Sequence, residues 1–243
     1  MNILAIDTAT EACSAALIID GDTINSRITA RYQLAPREHS RLILKMVDEL
    51  LADAALPVSR LDAIAFGRGP GSFMGLRIAA GVVQGIAFAH DIPVIPISTL
   101  QAIAQRAYEE TANDHILVAI DARMDEVYWG AYYLGEQLSN GPQWLIDGEE
   151  KVISPDMIKL PEMLAEKDKH WVGAGSGWGS YGNRLLADNF TLQSMLVDCF
   201  PSAEVIVKLA VKEYRAGNMV SAAQAIPVYL RNDVAKKPKP FIL

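Results

Sequence analysis

Apolar residues recur at two different spacings in the first third of the chain, and each spacing predicts a different element. Residues 2–6 form a short apolar run that ends at Asp7, and a second β-rich stretch follows it, so both are predicted strands. Beyond Pro36 the spacing becomes helical. The helix predicted there carries one apolar stripe, made of Leu42, Met46, Val47, Leu50 and Leu51.

Strand and helix signals continue to alternate after this first helix. Short apolar strands are predicted at 61–66 and 92–97, on either side of a long helix at 72–90. Ser98 is placed to cap the next helix, with Gln101 three residues later completing a capping box. Alternating strands and helices are typical of an α/β layered domain, and this is the fold class that the pattern predicts.

The second half of the chain carries similar but weaker signals. Ser154 is placed to cap a helix that Pro161 should kink or end. Residues 170–182 predict a strand followed by a glycine-rich loop, and residues 202–217 predict a helix closed by its final glycine. The tail, residues 225–243, lacks helical periodicity and is expected to run partly extended along the surface.

The two halves of the chain begin alike. Four residues recur at one constant offset: Ala5, Ile6, Asp7 and Gly21 fall on Ala119, Ile120, Asp121 and Gly135. The recurrence indicates a duplicated unit, with a first lobe at 1–108 and a second at 109–243 whose tail is expected to pack back on the first. Two unrelated hairpins that each end in a common turn residue are the alternative explanation.

Composition and charge narrow the classes of function. Of the 243 residues, 51% are hydrophobic and 21% are charged, as in globular proteins, and the formal net charge is −7. An acidic chain needs a local basic patch or a basic partner to hold nucleic acid. No apolar run approaches the roughly 18 residues that span a bilayer, so we expect a cytoplasmic protein without a membrane partner. The tail holds the one short basic cluster: Arg231, Lys236, Lys237 and Lys239.

The stretch GRGPGS at 67–72 carries the most specific local signal in the chain. Gly67, Gly69 and Gly71 permit backbone angles that are closed to other residues, and Ser72 can cap the helix that follows. Such a turn aims backbone N–H groups at one point, where a helix N-terminus favours phosphate or carboxylate. A tight loop needed only for close packing explains the same glycines equally well.

The predicted helix at 72–90 is apolar nearly all round. Its small residues mingle with large aliphatic ones, and Arg77 and Gln84 are among its few polar positions. Such a helix must be covered on every side. The cover is either the core of the same chain or another subunit whose helix approaches the small residues closely.

Five segments together resemble the TsaB (YeaZ) family: ILAIDTATEACSAAL, PREHSRLI, GRGPGSFMGLRIA, IDARMDEVYW and PVYLR. The likeness covers almost the whole chain. It implies an actin-like, hsp70-like fold of two ribonuclease H-like lobes, in agreement with the internal repeat. Met74 stands where most relatives have threonine, so a hydroxyl contact at that turn is missing.

The resemblance also implies a function. Members of the family help to form threonylcarbamoyl-adenosine (t6A) at position 37, beside the anticodon, of tRNAs that read codons starting with A. They pair with TsaD, a similar catalytic subunit, and the ATPase TsaE joins them. The resemblance therefore implies a non-catalytic activating or scaffold subunit, which meets tRNA only through the complex and forms a homodimer when alone.

The catalytic relatives bind a metal through a histidine pair, spaced H-x-x-x-H, that follows an extended strand. The corresponding positions here are Thr99 and Ile103, which cannot replace two imidazoles as metal ligands. We therefore predict neither a metal site nor a catalytic residue. His39, in the segment REHS, is interpreted as a polar residue at a helix N-terminus.

Actin-like ATPases clasp a nucleotide between phosphate-binding turns of both lobes. The second lobe has Arg123 and Met124 where small residues would let phosphate approach the backbone, so we expect no independently bound cofactor. ATP or ADP shared with TsaD at the interface remains the open alternative. The candidate contacts for it are Asp7, Thr8, Thr10, Gly69 and Gly71.

Pairing with TsaD is expected through the first lobe, by the helices at 36–55 and 72–90. The interface candidates are Leu42, Met46, Leu50, Leu76, Ala80, Gly81, Val83 and Gln84. One alternative is an enzyme in its own right, either a stand-alone phosphotransferase or a metallopeptidase-like protein. It needs a second phosphate turn or a pair of metal ligands that the sequence lacks. The other alternative is a homodimer through the same apolar helix.

Overall fold

The strands form two five-stranded sheets in a computed structural model that describes residues 1–21, 23–135, 143–159, 170–186 and 192–231. The first sheet contains β1 (Ile3–Asp7), β2 (Ala12–Ile19), β3 (Arg27–Leu34), β4 (Ala63–Gly69) and β5 (Val94–Ser98). The second contains β6 (His115–Asp121), β7 (Val127–Leu134), β8 (Trp144–Ile153), β9 (Val172–Ala174) and β10 (Ser194–Leu196).

Both sheets have the same strand order. The first runs β3-β2-β1-β4-β5, and the second runs β8-β7-β6-β9-β10. In each, the central strand pairs antiparallel with the next strand along the chain and parallel with the fourth strand of its lobe. The duplication predicted from the repeated Ala-Ile-Asp is therefore confirmed, and two unrelated hairpins are excluded.

Helices cover both faces of the sheets. They are α1 (His39–Asp53), α2 (Phe73–His90), α3 (Thr99–Thr111), α4 (Ser176–Leu185) and α5 (Ala203–Ala216). One apolar core lies between the sheets and contains α3 and α5, while α1 and α2 cover the outer face of the first sheet and α4 that of the second. The central strands serve two cores at once because successive side chains point to opposite faces, so Ile3 and Leu4 belong to different cores.

Helix ends follow the predicted capping residues in the clearest cases. The Ser72 and Ser98 hydroxyls each accept a hydrogen bond from the backbone N–H three residues later, at the starts of α2 and α3. Gly217 ends α5 with a φ of 77°, in the left-handed region that glycine adopts readily. The boundary predicted between residues 108 and 109 falls within α3, and the division into lobes at that residue stays a prediction.

Two local predictions for the second lobe were wrong. The helix expected from Ser154 is only a 3-10 turn at Pro155–Met157, and the Ser154 side chain makes no capping bond; Pro161 lies outside the described residues. The glycine-rich stretch expected as a loop is α4. Trp178 and Leu185 are buried against the second sheet, and this packing outweighs the low helix propensity of the glycines.

The segment after α5, which leads into the tail, returns from the second lobe to the first. Val220 forms an isolated antiparallel bridge with Val94, and the Gln84 side-chain amide donates to the Ala225 carbonyl over 3.0 Å. Val228 N–H then donates to the Arg68 carbonyl over 2.7 Å. After a 3-10 turn at Ala222–Gln224, the tail is irregular from residue 225 to residue 231. The remaining basic residues of the cluster, Lys236, Lys237 and Lys239, lie outside the described residues.

Candidate functional site

The glycine loop at 67–72 packs directly on the turn between β1 and β2. A Cβ atom on Gly67 would overlap the Asp7 carboxylate, and one on Gly71 would overlap the Ala9 carbonyl. Ser72 N–H donates to that same carbonyl over 2.7 Å, so this loop amide already has a partner within the chain. Of the two explanations for the glycines, close packing is therefore the one that the contacts favour.

Asp7 ends β1 in a fully buried position. Its Oδ1 accepts from Ala9 N–H over 3.2 Å, and its Oδ2 has no hydrogen-bond partner among the described residues. Burial raises the pKa of this carboxyl from 3.8 to about 7. Thr8 is also fully buried, and its hydroxyl donates to the Gly75 carbonyl over 2.7 Å. Neither side chain faces solvent: Asp7 packs on Gly67 of β4, and Thr8 joins the end of β1 to α2.

A cavity of about 660 Å³ lies between the two lobes. The turn between β1 and β2 lines it with Thr10 and Glu11, and the turn between β6 and β7 lines it from the second lobe. Of the five candidate nucleotide contacts, Thr10 and Gly71 reach this cavity, whereas Asp7, Thr8 and Gly69 do not line it. Gly69 instead faces the tail, where a Cβ would lie 2.8 Å from the Val228 carbonyl, and its φ is 105°. The structure thus does not bring the five residues onto one surface, and the shared nucleotide stays a prediction.

Asp121, the counterpart of Asp7 in the repeat, lines the cavity. Its Oδ1 accepts from Arg123 N–H over 2.8 Å, and its Oδ2 accepts from the Arg123 guanidinium over 3.3 Å. The Arg123 guanidinium also lies 4.0 Å from Glu11, across the lobes. Arg123 and Met124 stand where a second phosphate-binding turn would need small residues, and both line the cavity.

A polar cluster around Glu150, which the sequence did not indicate, joins the two lobes. Glu150, on β8, accepts from the Tyr132 hydroxyl over 2.7 Å and from the Ser98 hydroxyl of the first lobe. Arg68, on β4, lies 3.4 Å from its other carboxylate oxygen. Glu150 falls in the acidic segment DGEEK, whose local pattern is that of a solvated strand edge, so only the packing of the lobes reveals it.

Five of the eight interface candidates belong to the core of the first lobe, so they do not form an exposed surface. Helices α1 and α2 turn these side chains toward the first sheet, because each helix buries its inner face there: Met46, Leu50, Leu76, Ala80 and Val83. This corrects the predicted residue set. Leu42 and Gln84 are half-buried, and Gly81 is exposed.

The outer face of α2 is largely apolar, with Arg77 as an exposed charged residue near its N-terminal end, and no described residue covers it at Gly81 and Gly85. Met74 and Phe88 are 63% and 82% exposed, and nothing lies within 4 Å of a Cβ placed on Gly81 or Gly85. The helix is 18 residues long and apolar enough by length and composition to cross a membrane, contrary to the expectation that no run would approach that length. Its inner residues are core of the first lobe, so the chain covers one side of the helix and leaves the other open.

The two positions that correspond to the histidine pair of the catalytic relatives are buried. Thr99 and Ile103 lie on α3 in the core between the sheets, with relative exposures of 0% and 1%. Among the residues that the structure describes, no group of three His, Cys, Asp or Glu side chains is placed to hold a metal ion. His39 is the first residue of α1, which confirms its interpretation as an N-terminal helix residue.

Comparison with known proteins decides the family. The family model described as TsaD, tRNA N6-adenosine threonylcarbamoyltransferase, matches residues 24–238. The tRNA threonylcarbamoyladenosine biosynthesis protein TsaB of Escherichia coli is 41% identical over 240 residues, which cover 99% of both chains. The chain belongs to the TsaB (YeaZ) family. The TsaB protein of Haemophilus influenzae is 39% identical over 243 residues, covering 99% of this chain and 98% of its own.

Solved structures of TsaB relatives agree with the fold. YeaZ from Pseudomonas aeruginosa is 43% identical, with a TM-score of 0.83 over 94% of this chain and 99% of its own. A second Pseudomonas aeruginosa structure, described as similar to peptidase YEAZ, is 44% identical with a TM-score of 0.84 over 95% and 99% of the two chains. Membership of the TsaB family confirms the actin-like, two-lobed α/β fold and a role in the biosynthesis of threonylcarbamoyladenosine in tRNA.

Proposed function

We propose that this chain is a non-catalytic subunit that activates a TsaD-type enzyme in the formation of t6A at position 37 of tRNAs reading codons that start with A. The observation that carries the proposal is the uncovered apolar face of α2, which Met74, Gly81, Gly85 and Phe88 define. An exposed and largely apolar face of this kind is typical of a protein–protein interface. Without Cβ atoms at Gly81 and Gly85, a partner helix can approach the α2 backbone closely.

A partner of similar fold suits this face. The match of the TsaD family model to residues 24–238 supports a TsaD-type subunit with a related pair of outer helices. Two related chains can pack the same face against each other about a pseudo-twofold axis, as in an isologous dimer. The same geometry allows a homodimer when the TsaD-type partner is absent. The two assemblies then compete for the outer face of α2.

Several buried positions support a non-catalytic role. Thr99 and Ile103 are sealed in the core, and Asp7 is fully buried against Gly67, so none of the three can reach a substrate. These observations argue against both the phosphotransferase and the peptidase alternatives, which need accessible ligands or a general base. The catalytic groups for t6A formation would then belong to the TsaD-type partner.

The other components of the proposed complex are argued from the charge of the chain and from its family. With a net charge of −7 the chain repels a phosphate backbone, so tRNA would be held by basic surface on the partner. A TsaE-type ATPase would join the pair, with ATP or ADP at the joint between the subunits rather than bound by this chain alone. The assembly would be cytoplasmic.

Reconstitution tests this function directly. Unmodified tRNA is incubated with the TsaD-type and TsaE-type proteins and the enzyme that supplies threonylcarbamoyl-adenylate, with and without this chain. A Gly81→Arg variant tests α2, and Ser180→Arg on the exposed face of α4 is the matched control. We expect t6A only when the chain is present, loss of both pairing and t6A with Gly81→Arg, and normal t6A with Ser180→Arg. Equal t6A formation without the chain would contradict the proposed function.

A further inference from the structure

The tail is anchored to the first lobe along α2 and β4. Ala225 is buried in the core of that lobe, and its carbonyl accepts from the Gln84 side chain of α2 over 3.0 Å. Three residues later, Val228 N–H donates to the Arg68 carbonyl of β4 over 2.7 Å. These contacts hold the tail along the first lobe before it reaches the second lobe.

Tyr229 joins the tail to the first turns of α2. Its ring centre lies 5.5 Å from that of Phe73, and its hydroxyl accepts from Nε–H of Arg77 over 3.2 Å. The Arg77 guanidinium lies 3.7 Å from the centre of the Phe73 ring, which is a cation–π contact. Arg77 is exposed, as is its neighbour on α2, Met74. A molecule that docks there therefore touches side chains that hold the tail.

Arg231 carries the tail across to the second lobe. Its side chain is 17% exposed, and its guanidinium donates to the Glu126 carboxylate through Nε, over 3.1 Å, and through a terminal nitrogen. The guanidinium also donates to the Arg123 carbonyl over 3.3 Å and lies 3.6 Å from the Met124 sulfur. Two residues of chain, the separation of Tyr229 and Arg231, span at most about 7 Å. A displacement of Tyr229 is therefore passed on to Arg231.

The partners of Arg231 belong to a strained turn between β6 and β7. The residues at 123–125 have φ angles of 61°, 57° and 64°, in the left-handed region, although none of them is glycine. Such angles persist only where the surrounding contacts hold them. Asp121 accepts from Arg123 N–H on one side of the turn, and Arg231 binds the Arg123 carbonyl and Glu126 on the other. The turn thus has a held state, and a relaxed state becomes accessible when the contacts of Arg231 are lost.

We propose that residues 228–231, the tail strap, couple the N-terminal end of α2 to the turn at 121–126 of the second lobe. Contacts made on Phe73 and Arg77 change the balance between the held and relaxed states of the turn through the strap, without touching the second lobe. The coupling is reciprocal by thermodynamic linkage, so loss of the Arg231 contacts also loosens the start of α2. The inference rests on contacts within the chain and not on the proposed partnership with a TsaD-type subunit.

Amide hydrogen exchange, resolved by NMR on the isolated full-length chain, measures both ends of the tail strap. The reporters in the turn are the N–H groups of Arg123 and Glu126, which both donate within it. The reporter at the start of α2 is Leu76, whose N–H donates to the Ser72 carbonyl over 2.9 Å. Core amides of β1 report on the stability of the whole chain.

Three variants release the tail strap at one end or at both. Tyr229→Ala releases it from α2, Arg231→Gln releases it from the turn, and a double variant combines the two changes. Arg41→Gln is the matched control, because the ion pair that it removes, with Glu38, stays within the first lobe.

We expect Tyr229→Ala and Arg231→Gln each to speed exchange of the turn amides at least about threefold, because the contacts that hold the turn are weakened. Arg231→Gln should also speed exchange at Leu76. The double variant should exchange no faster than the faster single variant, because both changes act through one strap. Arg41→Gln should leave all the reporters unchanged.

Four results would overturn the proposal. Unchanged exchange of the turn in Tyr229→Ala would make Arg231 a local clamp, and unchanged exchange in Arg231→Gln would show that the tail does not hold the turn. Additive effects in the double variant would show two separate contacts, and equal acceleration of the β1 amides would show a general loss of stability. If Tyr229→Ala fails to fold, Tyr229→Phe, which removes the hydroxyl that Arg77 contacts, takes its place. Because no partner protein is present, the outcome is independent of whether this chain activates t6A formation.

Discussion

The two lobes share one strand order but differ on their outer faces. In the first lobe α1 and α2, of 15 and 18 residues, cover the sheet, and α2 leaves an apolar face open around Gly81. In the second lobe the outer helix α4 has ten residues, and its exposed side carries Ser180 and Asn183 instead of apolar groups. The comparison shows that the duplicated scaffold is kept in both lobes, whereas an open apolar surface of this kind is found on α2 and not on α4.

The two aspartates of the repeat, Asp7 and Asp121, also differ in their surroundings. Asp7 is sealed beneath Gly67 and carries a raised pKa, whereas Asp121 faces the cavity and is paired with Arg123. One position in the duplicated unit thus serves internal packing in the first lobe and lines a solvent-connected cavity in the second. The same position of the repeat is therefore closed off from solvent in the first lobe and open to the cavity in the second.

The largest expected effect concerns the buried aspartate. Asp7 is protonated in both states below about pH 4; between about pH 4 and pH 7 the unfolded chain loses this proton while the folded chain keeps it. Stability should therefore fall with rising pH over that window. At pH 8 this carboxyl should cost up to about 4 kcal/mol.

Asp7→Asn should remove this part of the pH dependence. The variant should match the wild type near pH 4 and exceed it by several kcal/mol at pH 8, as measured by urea denaturation across the range. The acidic end of the range, where Asp7 is neutral in both states, is the internal control. An Asn variant that is less stable than the wild type at pH 8 would show that the carboxylate is stabilising and that its burial has been misjudged.

The next largest expected effect is a loss of stability on substituting glycines where an outer helix meets a central strand. A Cβ on Gly75 of α2 would overlap the Thr8 backbone carbonyl, whereas one on Gly177 of α4 would lie 2.9 Å from the Ala119 side chain. We expect Gly75→Ala to lower the free energy of unfolding by about 3 kcal/mol or more, because helix and strand must separate, and Gly177→Ala to lower it by less. Urea denaturation of both variants checks the order, and a smaller loss for Gly75→Ala would contradict the close packing.

The Glu150 cluster tests how the lobes are held together. Glu150→Gln keeps the shape of the side chain but removes the charge that Ser98, Tyr132 and Arg68 face. We expect a loss of about 2 kcal/mol, as for hydrogen bonds to a charged group, and faster amide exchange where β8 meets the first lobe. Glu149→Gln, at the exposed neighbouring position, should change neither quantity. Equal effects of the two variants would mean that the cluster adds nothing to the junction.

The smallest effect is a gain in stability. Nothing of the chain lies within 4 Å of a Cβ on Gly81, so Gly81→Ala should stabilise the monomeric chain by about 0.5 to 1 kcal/mol, the usual difference between alanine and glycine within a helix. The measurement is urea denaturation at a protein concentration low enough to keep the chain monomeric. A loss of stability would show that this face contacts the rest of the chain.

Much of the scaffold was predictable because its signals are local or repeated. The Ala-Ile-Asp repeat indicated the duplication, and Ser72, Ser98 and Gly217 marked helix ends that the structure confirms. Helix α4 was missed, because the burial of Trp178 against the second sheet is a tertiary effect that outweighs local propensity. The helix predicted after Ser154 was wrong as well: residues 155–157 form a 3-10 turn, and the Ser154 side chain makes no capping bond.

Predicting the site residues was harder than predicting the elements. On a helix that is apolar nearly all round, spacing does not tell the inner face from the outer, so Leu76 and Val83 were assigned to an interface although they are core. Gly81 was assigned to the same interface and does lie on the open face. The cavity groups His39 and Arg77 come from separate segments, and no sequence pattern shows that they line the same cavity with Arg231 of the tail.

Hydrogen–deuterium exchange with and without a TsaD-type partner tests whether α2 is the docking face. Amides of α2, residues 73–90, should become strongly protected when the partner is added, while those of α4, residues 176–185, should not change. Protection should disappear with Gly81→Arg and persist with Ser180→Arg. Protection of α4 without protection of α2 would contradict the assignment of the docking face to the first lobe, as would unchanged exchange at α2 in a complex that still forms.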